Sequence, residues 1–472
     1  MRSILLYVGL LVGTLALFWV INQAGQELVA PEPTVEPATA VPAQLGRIDP
    51  LFHVLLTLAA VIALGWVLSR LFRYAGQPPV IGEVVAGIAL GPSLLGRISP
   101  DAMAFLLPAP AAPYLSVVAQ IGVILFMFVI GLELNPGLLR NRLPATIVVS
   151  HTGILIPFAL GLIFALWLYP LLSSREVPFT NFALFFGIAM AITAFPVLAR
   201  ILTDRGVQTT AIGVTALTCA ALEDATAWCL LAFVVGVAKS QSGEALRVIG
   251  LTVAFIAFMA LVVRPVAVRL NAYAEAKNYR RGAVAVVFVA LLLSALATEW
   301  IGIHALFGAF LLGAIIPHDS ALARDFTHKL EDLVTVLLLP AYFALTGMRT
   351  QVGLLAGWNE WLICLAIIAA ATAGKFGGTI LGARTVGMPW RDSATLGILM
   401  NTRGLMELIV LNIGLDLKII SPTLFAMMVL MALATTVATT PLLHLTGLLP
   451  TCDPQPDSPV NPLDLARKSC PV

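Results

Sequence analysis

Long apolar runs alternate with short connectors along this chain, and the connectors carry most of its Lys and Arg. Thirteen runs are long enough to span a bilayer, or nearly so, at about 1.5 Å per helical residue. They lie at 51–71, 80–95, 114–134, 145–169, 182–203, 211–238, 248–268, 282–297, 301–317, 330–347, 361–383, 394–415 and 422–449. An earlier run, 4–21, reads as a retained helix in preference to a signal peptide, although small residues at 38–43 offer cleavage positions. The pattern divides the chain into an N-terminal hydrophobic segment (1–25), a Pro-rich linker (26–50), a membrane domain (51–449) and a short tail (450–472). Alternate threading with Arg70 and Arg73 inside puts most basic residues on that side, Arg140, Arg142, Arg200, Arg205, Arg264, Arg269, Arg280 and Arg281 among them. The linker is then outside, the tail is inside, and with a retained first helix both termini are cytoplasmic.

Composition agrees with the pattern. Hydrophobic residues make up 59% of the 472 and charged ones 11%, a balance far from that of soluble domains. The expected fold is an all-α polytopic membrane protein. A net charge of +2 without a basic run speaks against nucleic acid as a partner. The five cysteines show no C-x-x-C spacing, and the six histidines form no H-E-x-x-H cluster. No disulfide framework, structural metal or cofactor is expected.

Against this background the charges inside the apolar runs stand out. Glu223 and Asp224 are adjacent in A-L-E-D-A-T-A-W, within a run that holds no Lys or Arg to pair them. A carboxylate at the centre of a membrane helix costs about 2.5–3.5 kcal/mol on insertion scales. Neighbouring helical positions point about 100° apart, so both face one cavity only if it is wide and wet. A cation or proton site near the midplane explains the pair better than a helix end or a polar kink. Lys375, in A-T-A-G-K-F-G-G-T, is a third intramembrane charge, too deep in its run for snorkelling.

The chain also resembles itself. F-V-I-G-L-E-L-N-P-G-L-L (128–139) is similar to A-L-T-G-M-R-T-Q-V-G-L-L (344–355), with Gly131 matching Gly347 and Gly137 matching Gly353. A Gly-rich run precedes each, at 82–92 and 304–317. Six runs before and six after 248–268 would face opposite ways, giving two inverted six-helix repeats, the mark of a secondary transporter. In such folds broken helices cross near the midplane. The fifth run of each half fits. One holds A-I-T-A-F-P-V-L-A-R (191–200), where Pro196 removes a backbone donor and Thr193 supplies a hydroxyl. The other holds M-N-T-R-G-L-M-E-L (400–408), where Asn401, Thr402, Arg403 and Gly404 interrupt the apolar run. Arg403 and Glu407 are four apart and are expected to pair on one helix face.

At these residues the chain resembles the second monovalent cation:proton antiporter family, which includes Kef-type potassium efflux proteins, bacterial sodium/proton exchangers and plant cation/proton exchangers. The resemblance rests on G-Q-P-P-V-I-G-E-V-V-A-G-I-A-L-G-P (76–92), 191–200, the acidic pair, G-K-F-G-G and M-N-T-R-G-L-M-E-L-I-V-L-N-I-G (400–414), in order across 51–449. It implies a core domain moving past a dimerisation domain, in a homodimer of a bacterial-type inner membrane. It implies that Asp224 binds the monovalent cation, sodium or potassium, or a proton, with Thr193 and Thr402 completing an oxygen shell. Glu223 takes the first position of the acidic pair, and Lys375 is the lysine expected to pair with it. An acidic first residue resembles the electrogenic members, but a Glu-Asp pair departs from the usual Asp-Asp, Asn-Asp or related pairs, and the longer side chain puts that stoichiometry in doubt. The short tail is expected to leave out the nucleotide-binding domain of Kef proteins.

Three rival readings stand beside this one. A sodium-coupled solute symporter of the same fold is disfavoured by Lys375 and the acidic pair. An intramembrane aspartyl protease would need its carboxylates on two helices, in a G-x-G-D pattern that is absent. A transporter-like sensor would bind without flux.

Overall fold

The structure is a computed structural model that describes residues 2–32, 49–133, 143–204, 207, 210–239, 245–277, 280–317 and 320–445. Most of the linker, the tail with Cys452 and Cys470, and residues 134–142, which include the end of the first repeat motif, lie outside the described residues. Among those described there is no strand.

The helices, in order, are α1 (Arg2–Gly25), α2 (Pro50–Tyr74), α3 (Pro79–Leu90), α4 (Ala112–Glu133), α5 (Leu143–Leu172), α6 (Phe179–Ala191), α7 (Phe195–Asp204) and α8 (Ala211–Lys239). There follow α9 (Ala245–Phe258), α10 (Arg264–Lys277), α11 (Arg280–Ile301), α12 (Ala305–Ile315), α13 (Ala321–Asp332) and α14 (Leu339–Arg349). The series closes with α15 (Trp358–Thr385), α16 (Trp390–Met400), α17 (Leu405–Asp416) and α18 (Pro422–Leu445). Short π-helical stretches, Met259–Val263 and Leu333–Leu338, join α9 to α10 and α13 to α14.

Eleven of the described helical segments are long and apolar enough to cross a membrane, α1 among them. Ten of the thirteen expected runs are in that set. The other three differ for physical reasons. Runs 182–203 and 394–415 are each split into two short helices at the polar or proline-bearing stretch. Run 301–317 shrinks to α12, because Gly302 and His304 adopt positive φ (100° and 86°) and cannot continue a helix. Run 330–347 begins earlier, at Ala321, because A-L-A-R-D-F-T-H-K-L-E-D is helical but too charged to register as apolar. The N-terminal run packs as α1 against α5 and α6, with Thr180 Oγ1 donating to Asn22 Oδ1 at 2.6 Å.

Two groups of helices emerge. In one, α2, α3, α4, α11, α12 and α14 pack together; in the other, α5–α8 pack with α15–α18; contacts between the groups are sparse. The packing is reciprocal between the halves. α3 pairs with α14 as α12 pairs with α4, α2 with α3 as α11 with α12, and α5 with α6 as α15 with α16. Two crossings are backbone against backbone. A Cβ on Gly87 or Gly347 would strike the α14 or α3 backbone, and one on Gly131 or Gly313 would strike α12 or α4. Only glycine allows helices this close. One polar cluster bridges the two groups. The Asn412 amide nitrogen on α17 lies 2.8 Å from Thr346 Oγ1 and 3.1 Å from the Tyr342 hydroxyl, both on α14. Arg349 donates to Asn412 Oδ1 at 3.1 Å and to Asp416 at 2.9 Å.

Candidate functional site

Two interrupted helices meet in the second group. α6 stops at Ala191, Ile192 turns extended (φ −73°, ψ 140°), and α7 resumes at Phe195 with Pro196 as its second residue. A proline is tolerated there because an amide in the first turn has no helical acceptor anyway. α16 stops at Met400, and α17 resumes after Asn401–Gly404. The breaks are bonded across: Ala194 N–H donates to Thr402 O at 3.1 Å, and the Thr193 hydroxyl lies 3.1 Å from Met400 O.

A helix that ends in a dry interior leaves its last carbonyls without partners. Two cations from the other half take those of α6. Arg403 donates from Nη1 to Ala189 O at 3.0 Å and from Nη2 to Met190 O, and Lys375 Nζ donates to Ala191 O at 2.6 Å. Positive charge at a helix C-terminus is also favoured by the helix dipole. Arg403 pairs with Glu407 at 3.3 Å, but not on one helix face as expected: Arg403 lies in the break, and only Glu407 is helical, in the first turn of α17, where a carboxylate complements the dipole. The Arg403 amide donates to Thr436 Oγ1 at 3.1 Å, and the Thr436 hydroxyl donates back to Arg403 O. The Thr402 hydroxyl lies 3.5 Å from Thr439 Oγ1 on α18, so it is turned to that helix. Asn401 is buried, and its Oδ1 has no hydrogen-bond partner among the described residues.

The acidic pair lies on α8, which runs unbroken past both breaks. Glu223 Oε2 accepts from Lys375 Nζ at 2.6 Å and lies 2.6 Å from the Thr193 hydroxyl. Lys375 makes its third bond to Gly153 O at 3.0 Å, so all three ammonium donors are used. Gly153 must be small, since a Cβ there would come within 2.6 Å of Glu223 Oε1.

Asp224 is turned elsewhere. Neither of its oxygens makes a hydrogen bond of normal geometry among the described residues, although the Phe195 amide at the start of α7 faces it. It is 3% exposed and borders a cavity of about 10 Å³ lined by Ile192, Ala227, Trp228, Leu231, Met406 and Val410. The one wide, wet cavity that would receive both carboxylates is therefore not what forms. One is locked into an ion pair, and the other borders a space for a single water-sized guest.

Thr193, Pro196, Glu223, Asp224, Lys375, Asn401, Thr402, Arg403 and Glu407 lie at or beside this crossing. Glu223, Asp224, Lys375, Arg403 and Glu407 are all buried, three acids against two bases. The geometry adds Gly153, Trp228 and the α6 carbonyls. Trp228 carried one signal, its place four residues after Asp224; the others carried none, because distant chain segments bring them in.

Comparison with known proteins gives the site a context. Residues 56–445 match the family of transmembrane sodium/hydrogen exchangers. The Na(+)/H(+) antiporter NhaS4 of Synechocystis sp. is 42% identical over 395 residues, covering 83% of this chain and 96% of its own length. Cation/H(+) antiporter 20 of Arabidopsis thaliana is 40% identical over 396 residues, 81% of this chain, which spans about half (47%) of that plant protein's length. The fold is shared with the sodium proton antiporter MjNhaP1 of Methanocaldococcus jannaschii (TM-score 0.60, 16% identity), with 85% of this chain and 99% of that one covered.

Proposed function

The chain belongs to the sodium/hydrogen exchanger family, and from that premise we propose that it is a secondary active transporter exchanging a monovalent cation, Na+ or K+, for protons by alternating access. The observation that carries the reading is Asp224: a buried carboxylate whose oxygens have no hydrogen bond of normal geometry among the described residues, beside two crossed helix breaks. A carboxylate in that position attracts either a cation or a proton. Ionised, it binds the cation; protonated, it loses the charge that held it. Exchange then requires that the empty, charged site cross poorly.

In this reading Glu223, Lys375 and Thr193 hold the site in shape, while Pro196, Asn401, Thr402, Arg403 and Glu407 build and neutralise the crossing. The reciprocal packing of the halves supports two inverted repeats. The sodium-coupled symporter finds no counterpart among the relatives described above. The homodimer and the bacterial-type inner membrane are carried by the family resemblance, and cross-linking in native membranes tests the first.

Energised inside-out vesicles from a host without its own antiporters test the function. Addition of NaCl or KCl should dequench a pH-sensitive dye, and Asp224→Asn should abolish that response. Retained cation-driven proton flux in the Asn variant would remove Asp224 from the mechanism.

A further inference from the structure

The cavity beside Asp224 has one aromatic wall. Trp228 lies four residues further along α8, so the two side chains leave the same helix face. It is 4% exposed and lines the same cavity, and its indole N–H has no hydrogen-bond partner among the described residues. The remaining side chains around the cavity, those of Ile192, Ala227, Leu231, Met406 and Val410, carry no hydrogen-bonding group.

These walls differ in stiffness. Met406 has a flexible thioether chain that adapts to its surroundings, and Leu231 can change rotamer. A packed indole is a single rigid plate, so it fixes the space that the softer walls leave. Its face also attracts cations, and an ion held over Asp224 would be within reach of that attraction if it sat against the ring. At about 10 Å³ the cavity is close to the least room that one water needs, so its walls bear on the size of what can enter.

We propose that Trp228 is a specificity-determining residue of the exchanger: its indole closes the cavity beside Asp224 to the size of a small alkali cation and so excludes larger ones. The inference rests on the assignment of Asp224 as the cation site. It names the wall that sets which cation fits.

The test uses the full chain in inside-out vesicles and the series Li+, Na+, K+, Rb+ and Cs+, with apparent KM measured for each. The wild type should discriminate against Rb+ and Cs+. Trp228→Leu should admit them, narrowing that discrimination by about tenfold, the scale on which a pocket separates guests that differ in size. Trp228→Phe, which keeps a smaller ring, should shift the ranking the same way by less. A Leu variant that exchanges with the wild-type ranking overturns the proposal. Should the Leu variant insert but fail to exchange, the Phe variant decides. An unchanged ranking there, or inactivity in both, makes Trp228 a packing residue and overturns the selectivity role. A wild type silent toward every alkali cation overturns the antiport reading itself, a result distinct from any change of ranking.

Discussion

On one side of α8, Glu223 sits between Lys375 and Thr193, with the Gly153 carbonyl sharing the same ammonium; on the other, Asp224 borders a small cavity walled by hydrocarbon and one indole. The two residues are consecutive, have the same charge and are equally buried. Their difference comes from what the helix turns each of them toward. The Glu223–Lys375 bond ties α8 of the first half to α15 of the second, and through Thr193 and the Ala191 carbonyl it fixes the first helix break as well. The Lys375 ammonium is completed in this way, and of Glu223 only Oε1 is left without a hydrogen bond among the described residues. Asp224 has no such partner, which is the condition for an exchangeable guest.

Substitutions that act on one side alone can break or sharpen this contrast. The largest effect on transport is expected from Asp224→Asn, with exchange reduced to background. Its melting temperature in detergent should hold or rise, because a buried unpaired carboxylate is costly to the fold. A variant that lost stability and kept exchange would reverse the roles given to the two acids. The largest effect on stability is expected from Lys375→Ala, which strands Glu223 as an unpaired buried charge. Breaking such a pair costs about 3–5 kcal/mol. Adding Glu223→Gln to that chain should recover much of the loss, and a double-mutant cycle on thermal melting measures the coupling. Next is Gly153→Ala, whose methyl would press on Glu223 Oε1. It should lower stability by roughly 1–3 kcal/mol, the range of overpacked sites, and leave cation ranking unchanged. The smallest is Thr193→Val, which removes one neutral donor from Glu223 and should cost about 1 kcal/mol of stability. If Thr193→Val instead matched Asp224→Asn in its effect on exchange, the hydroxyl would belong to the ion's shell.

What the sequence made legible were the places where polarity or proline interrupts an apolar run. Pro196 and Asn401–Gly404 marked both breaks because a proline removes a backbone donor and four consecutive residues without an apolar side chain interrupt a run. Arg403 and Glu407 were readable as a pair from their spacing of four, although Arg403 lies in the break and reaches Glu407 from outside the helix. The same periodicity could not show that Arg403 also reaches the Ala189 and Met190 carbonyls, since those lie more than two hundred positions away in the chain. Trp228 reads like any packed aromatic residue in a membrane helix. Thr402 reads as a ligand by its position, but the backbone turn directs its hydroxyl to Thr439. The Tyr342–Asn412 cluster escaped notice because each member is an ordinary polar residue until α14 and α17 are side by side. The start of α13 was hidden by its charges, which periodic hydrophobicity does not count.

In electrical terms, the Glu223–Lys375 bond bears on the charge moved per cycle. If that pair stays closed, Asp224 is the one acid of the couple that can change occupant, and one cation is then expected to cross for each proton. A membrane potential then does no net work on the exchange, since it acts only on net charge translocated. Initial exchange rates in vesicles clamped with valinomycin and potassium gradients, with Na+ as the exchanged cation, are therefore expected to be insensitive to voltage. Rates that rise or fall with the imposed potential would mean that Lys375 gives up its proton during the cycle, and that the pair is a second moving part.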